Sequence, residues 1–355
     1  MDRRRALTAG RRPSDPEAPE QADGTRAGSG ASRGIARLVL GRVLLIPVLV
    51  ALVTLVMFVL AQRAPFDPVL AALGDRALTM DGPTLEAMRA GMADTSAVQQ
   101  WTTWWGNALQ GDLGSSSSQR APVLTVIVER LPWTLGLMGV SLALAVLLGV
   151  LVGAWAGTRP GSLVDRLTGG GLLALQAAPP FWLGLVAIWV LAVWWGWLPT
   201  GGATSPQATS VRPGDVLAHA VLPVLVLALS QLPWFGLVVR DATRDALAGS
   251  AVRGAWARGI PRQRLLRHHA VRPALLPLVT VLGVRVPELI TGAVLVETVF
   301  SWPGIASATV ESALRLDFAL LAALTVLTTV IVVLGNLAAD VAYRLVDPRV
   351  GQQDG

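Results

Sequence analysis

Val43 to Leu60 is an unbroken apolar run, VLLIPVLVALVTLVMFVL, and comparable stretches recur to the end of the chain. Such runs approach the ~20 residues that cross the hydrocarbon core of a bilayer as a helix. Within that core the backbone has no water to bond to, so each span must satisfy its own N–H and C=O groups, as a helix does. At 53% hydrophobic and 15% charged, with a mean hydropathy of +0.56, the 355-residue chain is too apolar for an ordinary soluble domain. The fold class that follows is all-α, a polytopic membrane protein.

The runs are six: Val43–Leu60, Leu131–Ala156, Leu167–Trp197, Leu217–Val239, Leu278–Val299 and Ala319–Tyr343. The third is interrupted by Pro179 and Pro180, which remove two backbone donors and predict a kink inside the membrane. Freed carbonyls at that depth are tolerated where they are buried in protein or line a wet cavity, so the kink reads either as packing or as part of a path. Residues 1–37 are rich in Arg, Pro, Gly, Ser and Ala without apolar periodicity and predict a disordered tail. The transmembrane domain spans 38–349, residues 350–355 form a short C-terminal tail, and 63–130 form a polar segment between the first two spans. Within that segment Val98, Trp101, Trp105 and Leu109 recur near helical spacing, and Ser115 to Ser118 reads as a flexible loop.

The formal net charge of +6 comes entirely from arginine on the basic side, because the chain has no lysine. A phosphate-binding loop of the GxxxxGK[ST] form needs its lysine, so a standard ATP site is excluded. The arginines lie in the tail and in the loops beside apolar runs, which points to membrane topology rather than nucleic acid. A six-span arrangement with both termini in the cytoplasm puts about 21 arginines inside, seven outside and one, Arg285, within a span. No cysteine and three histidines leave little material for a metal site or a thiolate nucleophile, and no cofactor is implied. His268 and His269 are neighbours that point about 100° apart on a helix, with no carboxylate cluster beside them.

Arg285 follows Pro277 by eight residues, which sets it ~12 Å along the fifth span. Glu288, one turn on, can pair with it, and ionisable residues at such depth usually face a bundle interior or an aqueous path. A self-neutralised structural pair and a place on a translocation path both remain open for these two.

One polar interruption organises the rest: Arg240 to Pro277, RDATRDALAGSAVRGAWARGIPRQRLLRHHAVRPALLP. Ser250 to Arg258 predicts a helix, Gly259 a turn, and Pro261 the first position of a second helix. Gly254, Ala255 and Ala257 leave part of the first helix nearly bare, so another surface can approach its backbone, while Arg253 and Arg258 offer charge.

This loop resembles that of the membrane permeases of binding-protein-dependent ABC importers, which carry an EAA, three residues, then Gly pattern. Arg253, Gly254, Ala255 and Gly259 fall on those positions, with Arg253 for Glu and Gly254 for Ala. AWARGIPRQRLLRHHAVRPALLP is similar to the oligopeptide, dipeptide and nickel branch, and so are WWGNALQGDLG (Trp104 to Gly114), ETVFSWPG (Glu297 to Gly304) and the closing DPR (Asp347 to Arg349). PFDP (Pro65 to Pro68) departs from the usual PGDP at Phe66.

The resemblance implies a type I ABC permease fold in a bacterial inner membrane. It implies a transport subunit rather than an enzyme, carrying peptides or a related small solute such as nickel. The implied partners are a second homologous permease subunit, two ATP-binding subunits, an extracytoplasmic substrate-binding protein and membrane lipid. Arg253, Gly254, Ala255, Ala257, Arg258, Gly259 and Ile260 would couple to the ATPases, and Pro179, Pro180, Arg285 and Glu288 would border the path. The rival is an ion-coupled secondary transporter with Arg285 and Glu288 as coupling groups, against which stand the loop pattern and the lack of an evident inverted repeat.

Overall fold

The computed structural model describes residues 24–63, 79–93, 95–205 and 212–346, with side chains described between 39 and 341. The PFDP element at 65–68, residues 1–23 of the tail, the DPR element at 347–349 and residues 350–355 lie outside the described residues. In chain order the helices are α1 (Gly24–Arg63), α2 (Gly82–Ala93), α3 (Ala97–Ala108), α4 (Val123–Gly157), α5 (Leu163–Ala177) and α6 (Pro180–Ala187). They continue with α7 (Pro213–Ala248), α8 (Ser250–Ala257), α9 (Arg262–Val299), α10 (Ile305–Leu314) and α11 (Phe318–Val346). A two-stranded hairpin, β1 (Ser115–Ser116) with β2 (Ala121–Pro122), precedes α4.

Five of these helices, α1, α4, α7, α9 and α11, are long and apolar enough to cross a bilayer, and α5 with α6 makes a sixth span when taken as one bent pair. The helix α1 begins at Gly24, inside the stretch whose composition predicts a disordered tail. Once an apolar span has nucleated a helix, each further residue adds a hydrogen bond at small cost, so the helix extends past the lipid-facing run.

The span α7 is the centre of the bundle: 56% of its most apolar window is buried, against 11% for α1. Its tightest partner is α4, and three glycines one turn apart explain why. A Cβ on Gly149 would sit 2.6 Å from Cβ of Phe235, one on Gly153 2.4 Å from the carbonyl oxygen of Gly236, and one on Gly157 2.6 Å from that of Arg240. Small residues at this spacing let two backbones meet, which is how helices gain van der Waals contact where lipid offers no hydrophobic drive. Helix α9 shares a core with both, Leu289 packing among Leu137 of α4 and Leu222 of α7, and Gly283 of α9 packs against Ala339 of α11.

The proline pair does more than kink a helix. Helix α5 ends at Ala177, Ala178 and Pro179 are extended (ψ 125° and 139°), and α6 starts at Pro180 in a direction turned by 102°. Each proline disfavours the helical region for the residue before it, so two consecutive prolines take two residues out of the helix. The expected kinked third span, Leu167–Trp197, is therefore two helices meeting at a corner.

At the end of the bundle away from the 240–277 loop, short elements are tied down rather than loose. Thr54 of α1, fully buried, accepts the indole N–H groups of Trp101 (2.9 Å) and Trp105 (3.2 Å) and donates to Val50 O, which docks α3 on α1. Val98 and Leu109 of the expected apolar face point outward. Ser115 to Ser118 form no flexible loop: the hydroxyls of Ser116 and Ser118 donate to Asp317 Oδ2 at 2.5 and 2.7 Å. Asp317 is buried and also caps α11 by accepting the Leu320 N–H, so the hairpin is locked to the start of the last span. Glu297, fully buried, accepts from the Thr134 hydroxyl (2.6 Å) and the Ser307 N–H (2.9 Å), closing the N-terminus of α10 onto α4 and α9.

Candidate functional site

The 240–277 loop is built as a helix, a turn and a second helix. Helix α7 runs through Arg240 to Ala248, and Gly249, in extended geometry, breaks it before α8. Helix α8 then ends in a Schellman motif: Gly259 has φ +75°, its N–H donates to Trp256 O (2.8 Å), and the Ile260 N–H donates to Ala255 O (3.3 Å). The chain leaves through Pro261 into α9, whose first turns carry a π-helical segment, Leu265–Val271.

The loop has a small core of its own, in which Val252, Ala255 and Leu265 are buried with Leu247, Ile260 and Leu266 packed around them. Ala255, expected on the bare face, and Ile260, expected among the coupling residues, therefore pack in the core of the loop. Arg253, Ala257, Arg258 and Gly259 are exposed and Gly254 is half-buried. A Cβ on Gly254 would meet only Arg258 Nη1, at 3.8 Å, so the space above it is open. Arg253 has a second task, since its Nη1 donates to Ala248 O (3.0 Å) at the C-terminal end of α7. Trp256, 75% exposed between these residues, is a member of the face that small-residue spacing did not single out.

Beneath the loop, Arg240 of α7 pairs with Asp165 of α5, Nε to Oδ1, at 2.7 Å, and Asp165 is almost fully buried. Asp165 is held by the Gly161 N–H, while its own N–H donates to Ser162 Oγ in a cap at the start of α5. The signal was present in the sequence as Ser-x-x-Asp ahead of an apolar run, but nothing local identified Arg240 as its partner.

At mid-span, Arg285 and Glu288 of α9 form an ion pair. Arg285 is 9% exposed; its guanidinium lies 4.0 Å from the ring centroid of Trp234, and its Nε is 3.4 Å from Gln231 Oε1, both on α7. Glu288 has a side chain 52% exposed. Helix α6, which follows the proline pair, packs through Gly184 on Val299 and Phe300, 11 residues or more beyond Glu288 along the chain.

Residues 149–352 match the family model described as binding-protein-dependent transport system inner membrane component, a region that includes the 240–277 loop. The chain is similar to the oligopeptide transport system permease protein AppB of Bacillus subtilis (strain 168), 38% identical over 313 residues, covering 86% of this chain and 96% of that protein. It is similar to the dipeptide transport system permease protein DppB of Escherichia coli (strain K12), 31% identical over 327 residues, with 86% and 96% covered. The di/tripeptide transport system permease protein DppB of Pseudomonas aeruginosa (strain UCBPP-PA14) is 33% identical over 318 residues, with 85% and 94% covered. These are transport subunits rather than enzymes, and the match leaves no place for the ion-coupled secondary carrier. The chain belongs to the family of binding-protein-dependent transport system inner membrane components, as the membrane-spanning permease subunit of an ABC importer.

Proposed function

We infer that this permease forms part of the pathway for peptides, the solute class named in its relatives, with two ATP-binding subunits, a second homologous permease and a soluble substrate-binding protein as partners. Both termini and the 240–277 loop lie in the cytoplasm on this reading, with 63–130 on the opposite side. Nickel chelates, solutes of the wider branch that the loop resembles, are the alternative, and the relatives' names favour peptides.

The observation that carries the coupling role is the loop's own core under an open Gly254. A helix braced from within and uncovered on one face can be seated in a partner's groove and moved as a rigid unit, turning closure of the ATPases into displacement of α7 and α9. Arg253, Gly254, Ala257, Arg258 and Trp256 form the contact face, while Ala255, Gly259 and Ile260 set its shape. Pro179, Pro180, Arg285 and Glu288 belong to the path side of the bundle.

The test is co-purification followed by reconstitution. The tagged permease is expected to bring down both a second permease and ATPase subunits from its native membrane, and the reconstituted complex with its binding protein to take up labelled di- or tripeptides only with ATP. A complex without ATPase subunits, or uptake that ignores ATP, would overturn the reading.

A further inference from the structure

Along α9 past Pro277 the exposed positions follow one face at helical spacing: Val284, Glu288, Thr291, Leu295 and Thr298. Glu288 stands at the middle of the helical body Leu276–Val299, the point where a bilayer is driest. A half-exposed carboxylate with two threonines on the same face does not suit lipid, because ionisable groups at that depth turn toward a bundle interior or a water-filled cavity. The pair is also asymmetric. Arg285 is held under Trp234 and beside Gln231, whereas the Glu288 side chain is half-exposed and, among the described residues, Arg285 is its one ion-pair partner.

We propose that this face of α9 is a wet, cation-selective strip of the pathway, in which Glu288 receives the protonated amine of a passing solute. A carboxylate only accepts and a primary ammonium only donates, so the exposed member of the pair sets the sign of the group that can dwell there. Arg285 acts as a positioning residue: its buried guanidinium fixes the direction of the Glu288 carboxylate, and it does not itself meet the solute. The inference rests on the chain forming part of a pathway, but it concerns the charge of the solute and not its identity.

The experiment uses the complete transporter in vesicles and exploits the absence of cysteine from this chain. Thr291→Cys, one turn from Glu288, is labelled with a cationic and with an anionic methanethiosulfonate of similar size. Each rate is normalised to that of a small free thiol, and the parent complex gives the background from other subunits. The cationic reagent is expected to react about three- to tenfold faster than the anionic one, the effect of one carboxylate a helical turn away in a hydrated site. Glu288→Gln should bring the ratio to one or below, because Arg285 then stands without its carboxylate, and Glu288→Asp should keep the cationic preference. A ratio of one with Glu288 in place, or no labelling by either reagent in the resting and the ATP-driven states, would overturn the proposal. Cation-selective labelling supports it whether or not the same vesicles take up peptide, so uptake tests the functional reading separately.

Discussion

Arg240 Nε lies 2.7 Å from Asp165 Oδ1, and this contact joins the span that leads into the 240–277 loop to the half-span that ends at the proline corner. Gly169, one turn beyond Asp165 on α5, leaves room for the guanidinium: a Cβ there would stand 3.1 Å from Arg240 Cζ. Motion of the loop therefore has a direct route into α5, through a charge pair that cannot slip without exposing a buried carboxylate. Arg244, its Nη1 4.0 Å from the same carboxylate, is a weaker second partner.

Asp165→Ala should leave Arg240 only its exposed neighbour Asp241, Nη1 to Oδ1 at 2.8 Å, and so cost less than the about 3–5 kcal/mol of a charge left wholly unpaired in a buried site. Thermal unfolding of the purified complex should show the loss, and the double variant Asp165→Leu with Arg240→Met should recover much of it. Equal stability of the single variant and the parent would mean that the pair is solvated.

The α4–α7 contact predicts a contrast between two glycines of one helix. Gly153→Ala forces a methyl group onto the backbone of Gly236 and should destabilise the bundle by about 1–3 kcal/mol. Gly139→Ala meets nothing within 4 Å and should be neutral or stabilising by up to about 1 kcal/mol, the gain from alanine's helix propensity. The two variants expressed side by side and compared by unfolding temperature decide the matter, and similar values would contradict the packing described.

Glu288→Arg should be more damaging than Arg285→Met combined with Glu288→Leu, because the single change sets two like charges one turn apart at membrane depth. The double variant should reach the membrane and assemble, yet transport poorly if the exposed carboxylate meets the solute. Normal transport by the double variant would assign the pair a packing role alone, and normal assembly of Glu288→Arg would mean that the buried Arg285 does not depend on Glu288 for charge balance.

The spans and the loop were legible in the sequence because they depend on local signals: apolar length, a glycine at the end of α8, a proline ahead of α9. Pairing Arg285 with Glu288 needed only helical spacing. What was not legible joins residues far apart in the chain. Ser116 and Ser118 read as loop because Asp317, about 200 positions on, was invisible as their partner. Glu297 stood inside a quoted motif, yet its work as a cap for α10 needs Thr134 and the bare Gly304, where a Cβ would collide with its carboxylate. Ala255 was assigned to the outer face of the loop because small residues look alike whether they bare a surface or fill a tight core. The proline pair signalled a bend, and only the geometry of two successive extended residues made it a corner.

Coupling through the loop is the central claim, and Gly254→Trp tests it most directly. The free chain has room for a side chain at Gly254, so the variant should insert, keep its unfolding temperature and retain its loop core. With the face blocked, ATP-driven uptake in reconstituted vesicles should fall at least about tenfold, equivalent to about 1.4 kcal/mol of lost coupling. Undiminished uptake by a correctly inserted Gly254→Trp complex would contradict the account.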